Sequence, residues 1–155
     1  MDKYLEQQQL GKGSYGEVRL AVHKLSKLRA AVKSISRAKL DAKLRKRVEA
    51  EVKLHSQLRH PHVVRLYEVI SSSSTICLCM QYAPGGTLRD LLDQKGALSE
   101  PRARRYLQQI CGALHYCHRV VHIVHRDLKL DNMLIDAHDR ILLADFGFAE
   151  HVGPS

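Results

Sequence analysis

The chain has 155 residues, 45% of them apolar, and its 25 Lys and Arg against 16 Asp and Glu give a formal net charge of +9. That length and apolar content suffice for one domain with its own core and exclude a disordered tail. No apolar run is long enough to cross a bilayer and MDKYLEQQQ has no signal-peptide core, so an intracellular protein, cytoplasmic or nuclear, is expected.

In chain order, LGKGSYGEV (10–18) carries Gly11, Gly13 and Gly16 in a G-x-G-x-x-G pattern. Glycines let a backbone approach phosphates closely and offer its N–H groups. A dinucleotide-binding turn would be followed by a helix. Here EVRLAV (17–22) follows, an alternating strand with Val18, Leu20 and Val22 on one face, so a glycine-rich hairpin over a nucleotide fits better. AAVKSI (30–35) alternates too, with Ala31, Lys33 and Ile35 sharing a face. DAKLRKRVEAEVKLHSQL (41–58) reads as a helix whose inward stripe is Leu44, Val48, Glu51, His55 and Leu58, with Glu49 and Lys53 outward. Lys33 and Glu51, both on inward faces, are expected to pair, since a buried unpaired charge is costly.

VVRLYEVI (63–70) and TICLCMQY (75–82) read as strands joined by a serine turn, and YAPGG (82–86) as a loop. The pattern then turns helical. TLRDLLDQK is short; Ser99 is placed to cap a second helix, with Glu100 and Pro101 in its first turn and Tyr106, Leu107, Ile110, Leu114 and Cys117 as its apolar stripe. IVHRD, NMLID and RILLADF follow as short strands. The reading is α+β: a β-rich half around one helix, a hinge, and the start of a more helical half.

Two features remain open on composition alone. Ten Lys or Arg and one acid, Asp41, lie between Lys24 and Arg47, a run that can attract nucleic acid, an acidic protein or a membrane surface, or be a solvated face. CHRVVHIVHRDLKLDN (117–132) crowds four histidines and a cysteine. No cysteine pair or carboxylate completes a metal site there, and Cys77, Cys79, Cys111 and Cys117 read as buried free thiols.

His125-Arg126-Asp127-Leu128-Lys129-Leu130-Asp131-Asn132 matches H-R-D-L-x-x-x-N, and Asp145-Phe146-Gly147 follows. With the glycine loop, Ala31-Val32-Lys33 and the helix glutamate in the same order, the chain resembles the eukaryotic protein kinase family over nearly its whole length. Lys129, RHPHVVRLYEVI and DFGF make it most similar to serine/threonine kinases of the calcium/calmodulin-dependent and AMP-activated (sucrose-non-fermenting-like) group, and EVKLHSQLRHP resembles the polo-like kinases.

The resemblance implies a β-rich first lobe (4–81) with one regulatory helix, a hinge (82–86) and the start of a helical second lobe (87–155). It implies ATP and Mg2+ as cofactors, and transfer of the γ-phosphate to serine or threonine hydroxyls of protein substrates. Lys33, set by Glu51, would hold the α- and β-phosphates, Asp127 would accept or orient the hydroxyl proton, and Lys129 would steady the γ-phosphate. Asn132 and Asp145 would bind the metal. Gly11, Lys12, Gly13, Ser14, Tyr15, Gly16 and Glu17 would form the nucleotide-covering loop. Leu10, Val18, Ala31, Met80 and Leu134 would enclose the adenine, with the backbone of Gln81 and Ala83 on its edge and Met80 controlling the rear. His125 would be structural, packed under Phe146.

Several residues depart from the family pattern. His55 stands where most relatives have an aliphatic residue, Thr87 where many have glutamate, and one extra residue precedes His125. No A-P-E follows Gly147 within the 155 residues. The expectation is therefore an incomplete domain, poorly active when isolated and with an exposed apolar helix face. The alternative function is a catalytically impaired nucleotide-binding or scaffold fragment. Protein substrates and regulatory proteins, not nucleic acid, are the expected partners.

Overall fold

The computed structural model describes residues 3–13 and 16–153. They form two compact units, one built from the segment up to Lys53 with Arg65–Tyr82, the other from Leu54–Val64 with Ala83 onward.

The first unit is a five-stranded antiparallel sheet of β1 (Tyr4–Gly13), β2 (Gly16–His23), β3 (Arg29–Ser36), β4 (Leu66–Ser71) and β5 (Thr75–Gln81), in the order β1-β2-β3-β5-β4. β3 is central and buried on both faces. On one, Ala30 and Val32 pack with Tyr4, Ala21, Cys77 and Cys79. On the other, Ile35 packs with Leu40, Val48, Leu66, Ile76 and Leu78. The second cluster needs a cover, which helix α1 (Ala42–Gln57) supplies through its apolar stripe. Asp41 caps the helix, accepting the Leu44 N–H at 2.7 Å. The sheet curls: the Tyr4 hydroxyl on one edge strand donates to Glu68 on the other at 2.9 Å. The serine turn closes through Ser72 N–H to the Thr75 carbonyl, 2.8 Å.

The strand expected over 63–70 begins only at Leu66. Val63 and Val64 belong to the second unit, where the Val64 N–H donates to the Leu143 carbonyl at 2.9 Å. The backbone there is satisfied by a distant strand rather than by its own continuation.

The second unit holds α2 (Leu88–Lys95), α3 (Glu100–His115) and four short strands, β6 (Ile123–Val124), β7 (Met133–Ile135), β8 (Ile141–Leu143) and β9 (Glu150–His151), pairing as β6-β9 and β7-β8. Thr87 and Asp90 form a reciprocal capping box at the start of α2. Ser99 sits at the N-cap of α3, but its side chain makes no capping bond. Two apolar clusters hold the unit, one around Leu58, Cys117, Ile123, Leu143 and Phe146, the other around Leu88, Tyr106, Ile135 and Ile141. Asp139, in the β7–β8 turn, accepts from the Tyr106 hydroxyl and from Arg102 and Arg105, tying that turn to α3.

Leu107 does not join the α3 stripe as expected; it is 60% exposed. The buried line of α3 runs instead through Tyr106 and Ala113, two turns apart, and Ala113 is fully buried. Of the cysteines, Cys77, Cys79 and Cys117 are buried, but Cys111 is exposed. No helix among the described residues is long and apolar enough to cross a membrane.

Candidate active site

In the first unit, β3 and α1 bring the two inward charges together. The Lys33 ammonium donates to Glu51 Oε1 at 2.6 Å, and the residues are 5% and 4% exposed. The alternation of β3 puts Lys33 on the sheet face that α1 covers. The helical repeat puts Glu51 one turn beyond Val48 on the same stripe. Around the lysine the register aligns the other candidates of this unit: Gly11 opposite Val18, Val18 opposite Lys33, and Ala31 opposite Met80.

Val18, Ala31, Met80 and Gln81 are half-buried, and Leu10 and Glu17 are exposed. Gly16 opens β2 under tight constraint, since a Cβ there would lie 1.9 Å from the Ser34 carbonyl oxygen. Its glycine is thus required by the neighbouring strand, whatever else the loop does. Gly11, by contrast, faces open space. Lys12 and Gly13 end β1. Ser14 and Tyr15 lie outside the described residues.

In the second unit, the loop after β6 concentrates the chemistry. Asp127 Oδ2 accepts from the Lys129 ammonium at 2.8 Å and from Asn132 Nδ2 at 2.9 Å, and Asn132 Nδ2 also reaches the Asp127 carbonyl at 2.8 Å. The Lys129 bond, seconded by Asn132, holds the Asp127 carboxyl below the usual carboxylate range, and the same bond raises the Lys129 ammonium. Asp127 is therefore ionised at neutral pH and fixed in direction. The part Asn132 plays in holding Asp127 escaped the motif reading, which assigned it to metal alone.

Asp145 sits in left-handed backbone, φ 59°, and accepts the Gly147 N–H at 3.3 Å. Ala83 and Leu134 are half-buried, and Leu134 bridges to Thr87 in an antiparallel pair.

Phe146, 1% exposed, lies between two imidazoles, with ring centroids 4.8 Å from His125 and 5.4 Å from His55. His125 Nε2–H donates to the Ala144 carbonyl at 2.8 Å, and its Nδ1 accepts the Asp127 N–H at 3.2 Å. His55 Nε2–H donates to the Val64 carbonyl at 2.7 Å, so the unusual histidine of the helix stripe is anchored by a polar bond as well as by packing. Upstream of His125 the helix does not end as a regular α-helix. α3 runs into a π-helical turn, Tyr116–Val120, closed by Val121 N–H to the Tyr116 carbonyl at 3.2 Å, and His122 takes φ 54°. A π turn takes one residue more than an α turn, which makes it a place where an added residue can be accommodated. Among the described residues no cluster of three or more His, Cys, Asp or Glu is arranged to hold a metal.

Burial pushes the His125 imidazole below the ordinary histidine value of 6.5. The folded chain therefore holds it neutral where the unfolded chain would take up a proton. Below the unfolded value the unfolded state binds more protons, so stability is lost as the pH is lowered, by at most about 1.4 kcal/mol per pH unit for one histidine. The thermal midpoint is expected to drop between about pH 7 and about pH 5.5, with a shallower slope in His125→Gln. Parallel slopes would show that His125 does not carry the effect.

A glycine hairpin that leads into a strand, with a lysine–glutamate pair on sheet and helix, separates this chain from the dinucleotide-binding βαβ folds and places it among the kinase-like ones. It belongs to the protein kinase domain family, whose model matches residues 4–155. Among curated relatives it is 41% identical over 140 residues to NUAK family SNF1-like kinase 2 of Homo sapiens, covering 90% of this chain and 22% of the relative. It is 41% identical over 139 residues to serine/threonine-protein kinase SIK2 of Gallus gallus, covering 90% of this chain and 17% of the relative. It is 42% identical over 141 residues to serine/threonine protein kinase OSK3 of Oryza sativa subsp. indica, covering 90% and 28%. These relatives agree with the serine/threonine, sucrose-non-fermenting-like resemblance read from the motifs. The chain spans between about a sixth and about a quarter of their length.

Proposed function

We propose that the chain is the amino-terminal part of a protein kinase domain that binds Mg·ATP and transfers the γ-phosphate to serine or threonine hydroxyls of proteins inside the cell. Residues 4–81 form its first lobe, 82–86 its hinge and 87–155 the start of its second. The observation that carries this reading is the Asp127–Lys129–Asn132 constellation, a carboxylate aimed by two donors within one loop.

Phosphoryl transfer asks little covalent chemistry of a protein; it needs alignment and charge stabilisation. Lys33, fixed by Glu51, holds the α- and β-phosphates. Asp127 has a depressed pKa and is therefore a weak base, so it orients the hydroxyl and takes its proton late. Lys129 answers the charge of the γ-phosphate. For the adenine the proposed contacts are Leu10, Val18, Ala31, Met80 and the Gln81 backbone from the first unit, and Leu134 and the Ala83 backbone from the second.

The donor set suits a hard divalent cation. Asn132 uses its amide nitrogen on Asp127, which would leave its amide oxygen, together with the Asp145 carboxylate, to hold the cation. When bound, Mg2+ neutralises charge on the phosphate oxygens.

The test is phosphate transfer from γ-labelled ATP by the full-length protein to peptides bearing serine or threonine, or tyrosine. Mg2+-dependent labelling of the former and not the latter is expected. Nucleotide binding without labelling would overturn the enzymatic reading in favour of a nucleotide-binding scaffold.

A further inference from the structure

Of the basic run that begins at Lys24, only Lys33 takes part in the proposed reaction, and the first six residues of the run form a shaped surface. The β2–β3 turn, Lys24-Leu25-Ser26-Lys27-Leu28-Arg29, is exposed throughout. Leu25 is 89% exposed and Leu28 48% exposed. Lys24, Lys27 and Arg29 surround them, and none of the three pairs with a carboxylate among the described residues. Glu68 is already neutralised by Lys3, whose carbonyl accepts the Lys24 N–H at 2.8 Å.

The turn is built rather than loose. His23 N–H donates to the Leu28 carbonyl and Lys27 N–H to the His23 carbonyl, each at 2.9 Å, and the Ser26 N–H bonds His23 Nδ1 at 3.2 Å. This framework holds Leu25 outward. Lys27 occupies left-handed backbone, φ 58°, a conformation that glycine takes without strain and lysine does not. What lysine offers there beyond glycine is its cationic side chain.

We propose that this hairpin tip is a membrane-contact site, Leu25 and Leu28 entering the interfacial region of an anionic bilayer while Lys24, Lys27 and Arg29 meet lipid phosphates. Two leucines with no groove or aromatic anchor are far too small for a protein interface of about 800 Å² per partner. A bilayer surface needs no complementary shape and rewards apolar and cationic groups presented together. Nucleic acid would engage the cations and leave the leucines without a role. Lys33 is buried within β3, and the remaining cations of the run, on and before α1, lie past its far end. Its eight residues span about 25 Å, so they are not part of the tip.

Flotation of the purified chain with vesicles tests this, since aggregates sink while bound protein rises. At about 100 mM salt, the chain is expected to float with phosphatidylcholine vesicles containing about 30% phosphatidylserine and not with phosphatidylcholine alone. Leu25→Ser and Lys27→Gly should each reduce the bound fraction about fivefold, and Lys27→Gly should do so without lowering the thermal midpoint. Lys43→Ser/Lys46→Ser on α1 should stay within about twofold of wild type.

The proposal is overturned if the chain does not float with the anionic vesicles. It is equally overturned if Leu25→Ser binds like wild type or if the α1 variant loses as much as the tip variants, since either means diffuse charge attraction. Binding to soluble polyglutamate that ignores Leu25 would point instead to an acidic protein partner. No nucleotide enters the measurement, so its outcome is independent of the kinase reading.

Discussion

Asp127→Ala in the full-length protein should reduce phosphoryl transfer about a thousandfold while ATP affinity changes little. Positioned proton acceptors contribute about 10²- to 10⁴-fold, and a thousandfold loss corresponds to about 4 kcal/mol on the barrier. The substitution removes the acceptor that Lys129 and Asn132 converge on. It leaves Lys33, Glu51 and the half-buried residues of the sheet untouched, so the nucleotide keeps its proposed contacts. Asp127→Asn divides the role further. Both bonds fall on the one oxygen Oδ2, so an amide oxygen in its place can still accept them, but it has no charge and cannot take a proton. If the Asp127→Asn variant kept most of the activity, orientation would outweigh proton acceptance. A rate for Asp127→Ala equal to wild type would remove Asp127 from the mechanism.

How far the site could be read in advance follows from how local its contacts are. Asp127, Lys129 and Asn132 lie within six residues of chain, so their mutual bonds are fixed by one loop and one short 3-10 turn, Leu130–Asn132. The pairing of Lys33 with Glu51 spans eighteen residues, but alternation in β3 and the period of α1 each point one partner inward. The fold of the first unit was legible for the same reason, strand by strand.

What escaped was long-range or small. Val63 and Val64 have the alternation of a strand, yet their backbone pairs with β8 some eighty residues away, a choice that no local pattern encodes. Ala113 is fully buried but too small to mark the inner line of α3 in a hydropathy reading, which gave weight to the larger Leu107 at the rim of the stripe. The π turn that ends α3 has no signature in the residue pattern; it depends on how that end packs around Cys117 and Ile123. The bond from His55 to the Val64 carbonyl could not be read from the helix either, since its acceptor lies nine residues on, outside the helix.

The pair formed by Lys33 and Glu51 gives the second large effect, and it separates stability from activity. Glu51 Oε2 is buried without a hydrogen-bond partner among the described residues. A buried oxygen left unmatched costs about 1–3 kcal/mol, so this pair is not arranged for maximum stability. Lys33→Met takes the cation from a carboxylate that is 4% exposed. Breaking a buried pair from one side costs about 3–5 kcal/mol, enough to lower the thermal midpoint by about 6–20 °C in a domain of this size. Replacing both partners, Lys33→Met with Glu51→Leu, removes the stranded charge, and well-packed apolar replacements of buried pairs are often neutral or stabilising. The double variant should therefore regain most of the midpoint lost by the single one. Phosphoryl transfer should not return in either, because the proposed task of Lys33 is to hold phosphates and methionine offers no charge for it. Thermal melts and transfer rates of wild type, single and double variants in the full-length protein complete the comparison. Recovery of transfer along with stability would mean that the pair is a structural brace and that the phosphates are held elsewhere. A single variant as stable as wild type would mean that Glu51 finds another proton or partner when the ammonium is gone.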